Sequence, residues 1–408
     1  MTPSAASPLG LVLTGGGARG AYQAGALVAI AEILHANRLP FPIVAGSSAG
    51  SINAAYLAAH ADNFIPATRQ LADLWTGLEP NHVFRTDTPS IAKTAVQWAA
   101  NLSLGGLTSG GARAKALLDT SPLRALLTRH LDPCAIHASV NRGDVHGLAI
   151  TATSYATGLA VTFFEGAPAT QPWTRANRCG IRSELALDHV LASAAIPIFF
   201  PAVMIENQWY ADGSIRLSTP LSPAIRMGAE RIVAITVRPE SASSLSSLAG
   251  LATQHHALAD CNPTESRDRA TNNAPARTRY PTPAEAGGVL LDALFLDALE
   301  LDAERTLRIN HTLSTLGGSA PTPQSVALRN VELLVLRPSI DPALLVLHTL
   351  RHFPAPVRHM FRGLGASADR GWDLLSYLAF DGPFTTRLFQ LGYDDTLHRA
   401  DEIRAFCT

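Results

Sequence analysis

The chain has 408 residues, 47% of them hydrophobic, which is enough for one large or two ordinary domains around a substantial core. Its 32 basic and 33 acidic side chains leave a formal charge of -1, so no basic field gathers nucleic acid, and no aromatic-and-basic stripe marks a single-strand groove. Charged residues make up only 16%, against roughly 25% in ordinary soluble domains, which leaves neutral surface suited to an interface or to contact at a bilayer.

No run of about 18 apolar residues marks a transmembrane helix. Met1–Gly10 carries no Lys or Arg and no apolar core, unlike a secretory signal. Cys134, Cys179, Cys261 and Cys407 are scattered, with no Cys-x-x-Cys pair. Reduced thiols and a cytoplasmic location, with peripheral contact at a membrane, are therefore expected.

In chain order, Leu9–Thr14 reads as a first strand and Gly15–Gly20 as a turn that needs free backbone geometry. Ala18–Ala36 follows as a helix with Ala21, Ala24, Leu27, Val28, Ala31 and Leu34 near one face. Gly15, Gly17 and Gly20 satisfy the Gly-x-Gly-x-x-Gly dinucleotide fingerprint. Against that reading, the second strand ends in Gly46-Ser47-Ser48 rather than in a carboxylate for a ribose. The turn also lacks the Lys-Ser/Thr ending of a phosphate-binding loop. The N–H groups of Gly16, Gly17 and Ala18 instead line an anion site. Arg19 is a candidate for a carboxylate pair, a loop anchor or a phosphate contact.

Ile43–Ala45 is a short apolar strand, and Ala54, Ala55, Leu57 and Ala58 give the helix after it a packing face. Between them lies Gly46-Ser47-Ser48-Ala49-Gly50, a Gly-x-Ser-x-Gly sequence in a strand–turn–helix setting. Such a turn lifts the Ser48 hydroxyl above the sheet and places it at a helix N-terminus, where free N–H groups stabilise an oxyanion. This strand–helix–strand–helix opening predicts an α/β fold with a mostly parallel central sheet flanked by helices.

Further helices are expected at Phe64–Leu78 and Ser90–Leu102. Gly-rich Leu104–Ala112 is a lid candidate, and a helix capped by Ser121 has Pro122 at its first position. Val145–Thr153 and Leu159–Phe164 read as a hairpin, and Leu185–Ala195 as a helix stopped by Pro197. Ile196–Phe200 and Val203–Ile205 suit either an acyl groove or core. Trp209-Tyr210-Ala211-Asp212-Gly213-Ser214 sets a carboxylate between aromatics and a glycine turn. A helix ends near Gly228, and Arg231–Val237 is a strand. Glu240–Gly287 reads as a polar excursion. Gly288–Leu316 follows as one long helix, then a strand at Val331–Arg337. Helices are expected at Asp341–Leu350, Ser367–Phe380, Phe384–Leu391 and Asp401–Phe406. The domain reading is a catalytic core over 1–240, a lid-like excursion over 241–287, and a mostly helical region with one strand over 288–408.

Three blocks in order resemble the patatin-like phospholipase family: Gly15-Gly16-Gly17-Ala18-Arg19-Gly20, Gly46-Ser47-Ser48-Ala49-Gly50, and Asp212-Gly213 after Ala192-Ser193-Ala194-Ala195-Ile196-Pro197. Ser214 stands where that family's carboxylate motif usually has Gly or Ala. The Ser376-Tyr377 to Tyr393 segment resembles the tail of a bacterial branch. The resemblance implies a modified α/β-hydrolase fold and a Ser–Asp dyad, Ser48 with Asp212. It also implies an oxyanion hole from Gly16, Gly17, Ala18 and Ala49, supported by Gly15, Arg19, Gly20, Gly46, Gly50 and Gly213. It implies a phospholipid or other acyl-ester substrate and no cofactor or metal. A thioesterase or general carboxylesterase would use the same dyad. Apolar Trp209 and Tyr210 are expected to raise the Asp212 pKa. A histidine triad would have to draw on His255, His256, His311 or His348. The His255-His256 pair has no further ligands at metal spacing.

Overall fold

The computed structural model describes residues 8–104, 115–239, 280–315, 328–346, 349–367 and 370–408. The chain opens with strand β1 (Leu9–Leu13), a 3-10 turn (Gly17–Gly20), helix α1 (Ala21–Leu34), β2 (Ile43–Ser47) and α2 (Ala49–Ala59). Helices α3 (Phe64–Thr76), α4 (Pro80–Val83), α5 (Thr88–Leu104), α6 (Ser121–His130) and α7 (Pro133–Arg142) follow. A strand-rich stretch holds β3 (Gly147–Ser154), β4 (Ala160–Gly166), β5 (Trp173–Arg175), β6 (Arg178–Arg182), α8 (Leu187–Ser193), β7 (Val203–Ile205) and β8 (Gln208–Asp212). Next come α9 (Ser222–Arg226), β9 (Arg231–Ile235), α10 (Pro283–Phe295), α11 (Asp297–Thr315) and β10 (Glu332–Leu336). The chain finishes with α12 (Ala355–Gly363), α13 (Trp372–Leu378), α14 (Gly382–Leu397) and α15 (Ala400–Cys407).

The strands form one sheet in the order β10-β9-β1-β2-β3-β4-β6-β5, with β8 on β3 and β7 on β8. Every pairing from β10 to β3 is parallel. Beyond β3 the sheet is mixed: β4 pairs antiparallel with β3, and β6 runs parallel to β4. β1 and β2 are buried along their whole length, as parallel strands covered on both faces must be. Alternation along the strands splits the core. Leu11, Leu13, Val44, Val233 and Ile235 join a large cluster with α1, α2 and the C-terminal helices. Val12, Ile43, Ala45, Ile232 and Ala234 face the other way, onto Leu221, Ala224 and Leu299.

Helix α1 is buried nearly all round, not on one face as its apolar spacing predicts. It lies between the sheet, α3 and α14. Gly25 and Gly392 make that crossing close enough: a Cβ on Gly25 would strike the Phe389 carbonyl, and one on Gly392 the Tyr22 carbonyl.

Several predicted boundaries move. Ala18 and Arg19 lie in the 3-10 turn before α1. The long helix expected over Gly288–Leu316 is two helices that part at Leu296. The first starts earlier, at Pro283, because Thr282 and Glu285 form a capping box. Thr120, rather than Ser121, caps α6. Asp341–Leu350 holds 3-10 turns at Pro342–Val346 and Thr349–Arg351 in place of an α-helix. The lid candidate from 105 onward, and 240–279 of the excursion, lie outside the described residues.

Candidate active site

The register of β3 explains how Ser48 and Asp212 meet. β2 pairs along β3 until Ser47 stands opposite Thr151. The next rungs of β3 are taken by β8, with Asp212 opposite Ala152. The strand before Ser48 and the strand carrying Asp212 thus end on neighbouring rungs of β3, at the C-terminal edge of the parallel sheet. Crevices at this edge are where open α/β sheets bind ligands.

Ser48 has φ 53° and ψ -129°, a conformation of order 1–3 kcal/mol above an ordinary one. Three hydrogen bonds help to hold the elbow. The Ser48 N–H donates to Ser193 Oγ at 3.0 Å, and Ser193 Oγ donates to the Thr151 carbonyl at 2.6 Å. Ser51 Oγ donates to the Ser48 carbonyl at 2.6 Å. The Ser193 clamp occupies the Ser48 N–H, so this amide is not an oxyanion donor. Gly46 and Gly50 flank the elbow within the core, and Ala49 begins α2.

Asp212 is completely buried. Its Oδ1 accepts the Ser214 N–H at 2.9 Å, and Thr153 Oγ1 donates to its backbone carbonyl at 2.8 Å. Oδ2 is buried without a hydrogen bond of full geometry. Burial pushes the Asp212 pKa up to about 7, while the nearby Ser48 hydroxyl and the Ser214 amide pull the other way. Trp209 is not what dries it. That side chain is 47% exposed, and only Tyr210 of the aromatic pair is buried.

The glycine turn closes the third side. Gly15 sits against Ser48 and Ser214, so that a Cβ would lie 2.9 Å from Ser48 Cβ. Gly17 has φ 55°, and a Cβ there would collide with the Tyr377 carbonyl of α13. The missing side chain at Gly17 thus serves a close approach of the protein's own backbone, which accounts for this glycine without a dinucleotide. Gly16 and Ala18 flank Gly17 in the same buried turn, and Gly20 packs on Ala49 and Trp75.

Arg19 points away from the pocket into a buried cluster. It is 1% exposed; its Nε donates to Ser376 Oγ at 2.8 Å, and Asp292 and Asp373 lie at 3.5 and 3.9 Å. Its guanidinium stacks over the Tyr377 ring, 4.0 Å from the centroid. Tyr377 in turn donates to Asp292 at 2.6 Å. Of the readings for Arg19, the carboxylate pair is the one present.

An apolar slot opens beside Ser48, with a cavity volume of about 40 Å³. Ile52, Leu74, Leu126, Ile196 and Phe200 are among its walls. Ile196 and Phe200 thus line it, while Val203–Ile205 forms the strand β7 that pairs with β8. Leu74, Leu78 and Leu126 also wall an outer hollow of about 620 Å³. Ile198, between the two slot residues, is 58% exposed and has φ 71°. Of the late histidines, His311 is exposed on α11, and His255, His256 and His348 lie outside the described residues.

Sheet, covering helices and the β2–α2 elbow define the class: an α/β protein with a patatin-like arrangement. The family model for patatin-like phospholipase matches residues 11–225, more than half of the chain. The chain belongs to the patatin-like phospholipase family, whose members generally act as lipid and acyl hydrolases through a Ser–Asp dyad. No curated protein matches it. Among solved structures, the crystal structure of VipD from Legionella pneumophila aligns with 98% of this chain and 68% of that one, at 13% identity and a TM-score of 0.32. A likeness of that size carries no argument here.

Proposed function

We propose that this protein is a serine acyl hydrolase that cleaves carboxylic ester bonds of phospholipids or related lipids. Ser48 is the nucleophile and Asp212 its proton partner. The observation that carries the reading is the Asp212 carboxylate. One of its oxygens is buried and unpaired beside the Ser48 hydroxyl, and its pKa is about 7. An ordinary carboxylate near 4 is a weak base at neutral pH, whereas one near 7 matches the operating pH of a general base.

Ser48 Oγ attacks the ester carbonyl carbon as its proton passes to Asp212 Oδ2. The N–H groups of Gly16, Gly17, Ala18 and Ala49 hold the developing oxyanion; losing one such donor costs about 3 kcal/mol. The carbonyl–oxygen bond to the leaving alcohol breaks, and Asp212 returns the proton to that oxygen. Water then attacks the acyl-Ser48 ester, gives a proton to Asp212 and releases the acid, and the proton returns to Ser48 Oγ. The apolar slot takes the acyl chain. Exposed Ile198 beside it contacts the lipid surface from the cytoplasmic side; among the described residues no helix is long and apolar enough to cross a membrane.

The test is mass spectrometry after fluorophosphonate treatment. Label is expected at Ser48, absent from Ser48→Ala and strongly reduced in Asp212→Asn. Full turnover by Ser48→Ala would refute the assignment. A thioesterase or general carboxylesterase would use the same residues, so matched phospholipids, thioesters and short-chain esters separate the substrate classes.

A further inference from the structure

A second cavity, of about 490 Å³, lies where β6, α9 and α11 come together. It shares no lining residue with the Ser48 slot. Its wall residue Val331 belongs to the core cluster on the reverse face of the sheet. Arg178, Arg226, Arg305 and Arg329 converge on it from separate parts of the chain. Among the described residues none of the four has a carboxylate within ion-pair distance, and the side chains of Arg226 and Arg305 have no hydrogen bond.

The one acidic wall residue, Asp302, is buried; its Oδ2 accepts the Leu221 N–H at 2.9 Å, and it feels Arg178 and Arg305 electrostatically without forming an ion pair with either. Burial lowers the pKa values of Arg178 and Arg226 and neighbouring arginines lower them further, while Asp302 pulls that of Arg178 the other way. Two polar atoms of the wall are also left over. Thr219 is 6% exposed, and its Oγ1 has no partner; Arg178 Nε is likewise buried and unpaired. A chain with a net charge of -1 has thus gathered cations where they repel one another, and has left donors there unused.

We propose that this cavity is a binding site for a phosphate-bearing ligand, separate from the Ser48 slot. Guanidinium forks match phosphate oxygens two at a time, and a neutral hydroxyl such as Thr219 donates a further bond. The volume falls within the range of about 300–1,000 Å³ usual for small-molecule sites. Thr219 lies on the short stretch that begins at Asp212, so an occupied cavity braces the segment behind the candidate dyad.

The probes are inorganic phosphate, glycerol 3-phosphate, and phosphatidylcholine vesicles with or without non-hydrolysable diether phosphatidic acid, all at fixed ionic strength. Binding is read by calorimetry and co-sedimentation, and Tm is followed with and without probe. The parent is expected to bind saturably. Arg226→Ala and Arg305→Ala should each weaken binding at least about tenfold, the size of one charge-assisted contact. Fluorophosphonate labelling of Ser48 without probe should not change. Removing one of several repelling cations should leave the unliganded Tm no lower, which separates lost binding from lost fold. Binding of the soluble esters alone assigns a free phosphorylated compound; binding of the acidic vesicles alone assigns a lipid headgroup; both assign phosphate whatever carries it. If no probe binds saturably, or both variants bind as tightly as the parent, the proposal is wrong.

Discussion

The buried carboxylate gives the most exacting prediction. Asp212→Asn keeps the carbonyl oxygen that accepts the Ser214 N–H and removes only the ionisable function. The parent's folded pKa of about 7 lies above the unfolded 3.8. The stability this group contributes is therefore complete below about pH 4 and is lost as pH rises through 7, because ionising inside the fold costs more than in water. The whole shift is worth roughly 4 kcal/mol at 1.36 per pKa unit. Between pH 5 and pH 8 the part that falls due is about 2.5 kcal/mol. Urea denaturation followed by tryptophan fluorescence, on parent and variant at both pH values, reads it directly. The variant should gain on the parent by that amount between pH 5 and 8, although it is the less active protein. Parallel stability–pH curves would mean that Asp212 titrates near 4 in the fold, and the general-base argument would collapse.

The same pKa predicts a parent kcat/KM that falls on the acid side of about pH 7, when Asp212 takes up a proton; pH–rate profiles check this. Arg19→Ala removes a buried guanidinium from over the Tyr377 ring and from the part-exposed Asp292 and Asp373, and should cost about 1–2 kcal/mol in unfolding free energy from urea denaturation, more from lost packing than from lost charge. Leu126→Ala thins the wall between the Ser48 slot and the outer hollow; the preferred acyl chain should lengthen in a series of graded p-nitrophenyl esters. Ile198→Asp should slow hydrolysis of vesicle phospholipid while sparing a short soluble ester, a split that an effect on the dyad itself would not give.

Much of the site could be read from residue order. A parallel strand buried on both faces is a plain apolar run, so β1, β2 and β9 stand out. A serine between glycines after such a run has few structural reasons to be there. What could not be read depends on distant partners. Nothing local says that Arg19 meets Asp292 and Asp373, or that Ser193 holds the Ser48 amide. Ser193 lies within one of the quoted motif blocks, yet its role appears only when α8 packs against β3. The strands β5 and β6 carry three arginines among eight residues and escape an apolar pattern. Helix α12 also escaped, although Pro354 and Pro356 at its start are the usual sign. The division at Leu296 is hidden because leucines recur on both sides of it. Trp209 misleads for a simpler reason: it stands at the exposed start of β8, whose last three residues alone are buried.

The meeting of Gly17 with the Tyr377 carbonyl has a consequence for how the enzyme comes into being. The glycine turn leaves the ribosome well before the helix that seats it. Strands β9 and β10, on the far side of β1, are late arrivals as well. A nascent chain therefore displays its serine long before α13 can seat the glycine turn opposite, and the candidate site is assembled only once that helix has emerged.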